Sequence, residues 1–117
     1  MDYKNNFKKG KQIILATASK NGVPNANIVM SLGFLDDKLL VANCQMNTTN
    51  KNLEENPNIC VIGGYFRIKG KVEIYSSGKY FDICFEHVSK SPGYSVKNAI
   101  LISVDEVFDL DKVEVIK

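Results

Sequence analysis

From Ile68 to Ile74 the chain alternates, with Ile68, Gly70, Val72 and Ile74 on one side and Lys69, Lys71 and Glu73 on the other. A period of two marks a strand with one face in a core and the other in water. Turn signals say how such strands connect. Asn21-Gly22 is the strongest two-residue hairpin signal, because both residues tolerate positive φ. Pro24 follows it, so the next strand is expected to begin beyond Pro24. Asp36-Asp37 supplies a second turn, and Gly63-Gly64 marks a bulge, a bend or a close approach by another group. Strands are expected from Gln12 to Ser19, from Asn27 to Phe34 with Gly33 interrupting, from Lys38 to Asn43, from Asn58 onward and from Ala99 to Val104. Val107, Phe108 and Leu110 extend the last or form a short edge piece. Val113 and Val115 alternate with charges, which suits pairing at an edge.

Helices are few. Asp2 can cap a short one carrying Tyr3 and Phe7, ended by Gly10. Phe81, Cys84, Phe85 and Val88 fall at helical spacing, which predicts an amphipathic helix from about Lys79 to Ser89, stopped by Pro92-Gly93. The chain therefore reads as mainly β with short helices (α+β), a small antiparallel barrel that closes a sheet and removes its edges. At 117 residues and 44% hydrophobic content, residues 1–117 are expected to form one domain.

Fifteen basic and thirteen acidic residues leave a net charge of +2, a mixed surface that gives no reason to expect nucleic acid or membrane as a partner. Lys8, Lys9 and Lys11 read as a solvated face. Cys44, Cys60 and Cys84 are odd in number and lack CxxC spacing, which suits a reducing cytoplasm, and Cys60 and Cys84 read as buried core residues. His87 is the only histidine and has no cysteine pair beside it, so no metal site is expected. It reads as a surface or partly packed residue. Residues Met1 to Phe7 lack the apolar core of a signal peptide, and no apolar run approaches transmembrane length, so a soluble cytoplasmic protein is expected. A catalytic side-chain set is not visible, so any enzymatic reactivity would come from a cofactor.

One segment points to a ligand. Thr48-Thr49-Asn50-Lys51-Asn52-Leu53-Glu54-Glu55-Asn56-Pro57 follows a strand and joins a hydroxyl-rich loop to a short helix ended by Pro57. Unpaired amides of a first helical turn, together with the helix dipole, attract anions. Ordinary capping by one of the Thr or Asn side chains is the alternative.

Taken together, Leu15-Ala16-Thr17, Gly22, Pro24, Thr48, Asn56-Pro57 and Arg67-Ile68-Lys69-Gly70 stand in the order of a hairpin, a Thr-containing loop, a helix ending in Asn-Pro and an IxG strand. This order, over roughly residues 11 to 104, resembles the pyridoxamine 5'-phosphate oxidase-like FMN-binding split barrels. The resemblance implies an antiparallel split β-barrel, FMN as cofactor, and a homodimer with the flavin between subunits. It places Asn27, Ile28, Val29 and Met30 along the flavin ring, Asn43 near the cofactor, and Thr48, Thr49 and Asn52 at the phosphate. It also implies a flavin-dependent oxidoreductase of unknown substrate. The alternatives are an FMN electron carrier without catalysis, or a module for another phosphorylated or planar ligand. Where the true oxidases carry Arg and Lys against the phosphate, this chain has Asn27, Leu32, Thr48 and Thr49, with Lys51, Arg67 and Lys69 as candidate substitutes. Their C-terminal substrate-binding segment is not evident, which disfavours vitamin B6 oxidation.

Overall fold

The computed structural model describes residues 2–117. Asp2 accepts a hydrogen bond from the Lys4 amide and starts a 3₁₀ turn, Tyr3–Phe7, that drives Tyr3 and Phe7 into the core. Seven strands follow in one antiparallel sheet: β1 (Gln12–Ala18), β2 (Pro24–Met30), β3 (Phe34–Leu35), β4 (Lys38–Asn43), β5 (Asn58–Gly63), β6 (Phe66–Tyr75) and β7 (Asn98–Asp109). A two-residue strand, β8 (Glu114–Val115), pairs with β7. Helix α1 (Asn47–Glu55) lies between β4 and β5, and α2 (Lys79–Val88) between β6 and β7.

The strand order is β2-β1-β5-β6-β7-β4-β3. Its two ends, β2 and β3, do not pair in a ladder, so the sheet is not closed, as the expected split barrel requires. They are consecutive in the chain, and the bridge between them, Ser31–Gly33, bonds to both sides. The Ser31 amide donates to Lys11 O and the Ser31 carbonyl accepts from Gly10 N, while Leu32 N and Gly33 O engage Leu40. Ser31 is fully buried, its hydroxyl donating to Phe7 O at 2.6 Å and accepting from Gly33 N at 2.9 Å. That bend divides the expected single strand Asn27–Phe34 in two.

The turns differ from expectation in an instructive way. The two-residue turn with positive φ at both positions is at Asp36 (52°) and Asp37 (64°), between the paired residues Leu35 and Lys38. At the first hairpin only Gly22 has positive φ, and the loop is longer, closed by Gly22 N to Ser19 O and Ser19 N to Val23 O. Pro24 is itself the first residue of β2, which an edge strand tolerates. Gly70 sits at the β6–β7 register shift, where a Cβ would overlap the Ser103 carbonyl.

The core joins Phe7, Ile13, Leu15, Leu39, Val41, Val61, Ile68, Ile100 and Ile102, all at most 1% exposed. Helix α2 packs on the sheet through Cys84 and Val88, and Lys79 and Tyr80 bind Asp36 at 2.7 and 2.8 Å, holding its carboxyl below the usual range. Phe85, expected on the packed stripe, is instead 58% exposed and stacks with Phe81. Cys60 faces outward from β5 because its neighbours Ile59 and Val61 take the core side. Among the described residues no helix is long and apolar enough to cross a membrane, and no group of three or more His, Cys, Asp or Glu could hold a metal ion.

Candidate functional site

Helix α1 has little apolar surface to dock with, since Leu53 is its only buried apolar residue. Amides and hydroxyls hold it instead. Thr49, 1% exposed, hydrogen-bonds Asn27 on β2 and accepts from Asn25 Nδ2 at 3.1 Å, and Asn25 Nδ2 also reaches Asn27 Oδ1 at 2.9 Å. Asn52 Nδ2 donates to Thr17 Oγ1 on β1 at 3.1 Å, both residues being 5% exposed. Asn50 Oδ1 accepts from Asn43 Nδ2 at 3.2 Å and from Asn98 Nδ2 at 2.8 Å. Asn43, fully buried, also receives the Met46 amide at 2.9 Å, fixing the turn into the helix. Each bond of this kind nets roughly 0.5–1.5 kcal/mol, and together they set the pose of the helix.

The N-cap of α1 is Met46, which offers no side-chain cap. Ordinary capping by a Thr or Asn is therefore not what these residues do. By their place in the first turn, the amides of Thr48 and Thr49 have no intrahelical acceptor. Thr48 is exposed, and Lys97 reaches the helix start by donating to Asn47 Oδ1.

Beside this helix start opens a cleft of about 460 Å³, within the usual range for small-molecule sites. Ile28, Val29 and Met30 form one wall. Ala42, Cys44, Gln45 and Met46 give the floor, and His87 and Val88 at the end of α2, with Ser91 and Tyr94 beyond it, close the other side. A larger depression, about 590 Å³, lies against the 3₁₀ turn, but its carboxylate-rich lining is the opposite of what an anionic ligand needs.

The eight residues expected at the site thus divide into two groups. Ile28, Val29 and Met30 line the cleft, and Thr48 sits exposed in the helix's first turn. Asn27, Asn43, Thr49 and Asn52 spend their side chains on docking α1. Of the candidate cations, Arg67 stacks over Phe108 at 4.7 Å with its Nε buried and unpartnered, while Lys51 and Lys69 are exposed. Sequence reasoning missed Lys97, fifty residues along the chain from Asn47, and it missed Met46, the N-cap of α1, as well as His87 and Tyr94, which reach the cleft only through the packing of α2 and the segment after it.

The chain is similar to known proteins in both sequence and fold. The family described as pyridoxamine 5'-phosphate oxidase matches residues 3–111. An uncharacterised protein of Methanocaldococcus jannaschii is 34% identical over 108 residues, covering 84% of this chain and 72% of its own length. Among solved structures, HupZ of Group A Streptococcus superposes with a TM-score of 0.83 at 22% identity, covering 97% of this chain and 95% of its own. An FMN-binding protein of Syntrophomonas wolfei gives a TM-score of 0.72 at 16% identity, covering 89% of this chain and 78% of its own. At these identities the superpositions establish the split-barrel fold.

Proposed function

Since this chain belongs to the pyridoxamine 5'-phosphate oxidase family, we propose that it is an FMN-binding flavoprotein, a flavin-dependent oxidoreductase working as a homodimer in the cytoplasm. The observation that carries this reading is the pairing of an apolar cleft of about 460 Å³ with an uncapped helix start at its rim. The three free cysteines suit a reducing compartment.

The donor set fits FMN. Ile28, Val29, Met30 and Met46 offer apolar surface for a planar ring, and the first-turn amides, the Thr48 hydroxyl and the Lys97 ammonium offer donors for a phosphate. Bound flavin would supply reversible two-electron chemistry. The chain's own residues do the rest. The apolar walls keep water from the ring. The Asn27–Thr49, Thr17–Asn52 and Asn43–Asn50–Asn98 contacts fix α1, so that its free amides are preorganised rather than assembled by the ligand. His87, the only imidazole, stands in the cleft wall where a substrate would approach the ring.

Titration of the apoprotein with FMN and riboflavin tests this. FMN should bind much the more tightly, and Thr48→Ala should weaken FMN by roughly 1.5–3 kcal/mol, the range for a hydrogen bond to a charged group, while leaving riboflavin unchanged. A protein that takes up neither flavin sinks the FMN reading. Equal affinity for the two moves the phosphate away from α1.

A further inference from the structure

Arg67 is a cation without an anion. It projects from the outer face of β6, because Phe66, Ile68 and Gly70 around it take the buried side. Its guanidinium lies 4.7 Å over the Phe108 ring, half-buried, with Nε buried and lacking a hydrogen-bond partner, and it forms no ion pair among the described residues. Phe108 therefore holds the group in one place and leaves its charge unanswered.

The pairing register shows what lies beside it. Arg67 stands opposite Ile62 on β5, Ile62 opposite Ile14 on β1, and Ile14 opposite Ile28 on β2, so one row crosses four strands of the outer face. By the ordinary spacing of strands that row is about 14 Å long. Lys69, Cys60, Ala16 and Ala26 follow the same order in the next row. Strands β1, β2 and β5 contain no charged residue, so each row has its cation at the β6 end and nothing but neutral side chains up to β2. At the β2 end lies the cleft, which Ile28 lines and whose lining includes no Lys or Arg.

Such a face is complementary to itself. A second copy related by a two-fold axis that runs along the strands, over the middle of the row, would set Ile14 on the partner's Ile62 and Ile28 on the partner's Arg67. The apolar centre closes on its own kind, and each guanidinium arrives at the other copy's cleft. The strand laid over Arg67 is then the partner's β2, which has no carboxylate to offer. A charge buried without a counter-ion is strongly unfavourable, so the anion has to come from a ligand in the cleft. We infer that Arg67 acts across the dimer, with the partner subunit's Arg67 completing each cleft and pairing with the phosphate of FMN in the bidentate manner of a guanidinium. This assignment rests on the homodimeric flavin reading above and adds the residue that the second copy contributes.

The test joins two defects in one dimer. Arg67→Gln should weaken FMN by about tenfold or more, while riboflavin affinity and the dimer mass stay unchanged, and Arg67→Lys should recover part of the loss. Cys44→Trp fills the floor of the cleft and should abolish binding of both flavins, and Gln45→Trp, at an exposed position of the same floor, replaces it should that chain not fold. Coexpressing the Arg67→Gln and Cys44→Trp chains with different affinity tags, and isolating the doubly tagged dimer, leaves one open cleft facing one intact Arg67. That heterodimer should bind a single FMN as tightly as the unmodified protein does, as read by flavin absorbance in equilibrium dialysis. A heterodimer that binds FMN no better than the Arg67→Gln homodimer overturns the inference. So does an Arg67→Gln homodimer that keeps full FMN affinity, or an unmodified protein that holds FMN as a monomer. An unmodified protein that takes up no FMN overturns the flavin reading itself, and this inference with it.

Discussion

Cys84 shows how one side chain carries the chemistry of its surroundings. It is fully buried under α2, with Sγ 4.0 Å from the Val41 carbonyl, and burial, helped by nearby Cys44, pushes its thiol from 9.0 to about 11. The unfolded chain would release that proton near the ordinary value while the native state keeps it. The stability tied to this group is therefore complete below about pH 9 and is lost as the pH climbs from there through about 11. Two units correspond to roughly 2–3 kcal/mol at most. Cys84→Ala should start less stable at pH 7, because it opens a small cavity, yet lose less between pH 9 and 11 than the unmodified protein. Urea midpoints measured across that range decide it, and parallel curves would show that the buried thiol does not contribute. Cys44 and Cys60 are also pushed up by burial, but both remain in the variant and so cancel in the comparison.

Helix α1 was the least legible element, and the reason is physical. Strands such as β4 and β6 announce themselves locally, by alternation and by flanking turn residues, and their bounds agree with the sequence reading to within a residue or two. A helix written Asn-Thr-Thr-Asn-Lys-Asn-Leu-Glu-Glu instead reads as solvent-facing, because nothing in its own sequence says that Thr49, Asn50 and Asn52 have partners on β2, β4, β7 and β1. The same limit explains the site. Ile28, Val29 and Met30 could be placed at the cleft from the order of motifs, whereas Tyr94 arrives there, and Lys97 at the start of α1, only through folding. The docking mode makes a prediction that an apolar helix face would not. Asn52→Leu should cost about 1–3 kcal/mol, because it leaves the buried Thr17 hydroxyl unpaired, and adding Thr17→Val should restore much of that loss. Additive losses in denaturant unfolding of the two single variants and the double would mean that the pair is not coupled. Loss of FMN affinity in Asn52→Leu, recovered in the double variant, would tie the pose of the helix to the proposed phosphate site.

At the scale of the whole molecule, the pairing register collects an apolar face that no single segment reveals. Ile14 on β1 stands directly opposite Ile28 on β2 and Ile62 on β5, which puts the three isoleucines in one row on one side of the sheet. The next row is Ala26, Ala16 and Cys60, and Met30 flanks the first. This is the outer face, away from the core, and Ile28, Met30 and Ile14 are 70%, 51% and 37% exposed. A contiguous patch of this kind on an edge strand and its neighbours is costly to leave in water. It also runs directly into the cleft, since Ile28 and Met30 belong to both. A second copy of the chain covering this face would bury the patch and turn the open side of the cleft into a wall, which is why the proposed homodimer and the proposed flavin site are linked. Ile14→Lys tests the link, because Ile14 lies in the patch but does not line the cleft. Light scattering at micromolar concentration should give twice the 13.1 kDa chain mass for the unmodified protein and the single-chain mass for the variant. FMN affinity should fall with the mass, because the monomer leaves the ring exposed on one side. If the unmodified protein is monomeric and still holds FMN tightly, the cleft is complete within one chain, and the apolar face must serve another purpose.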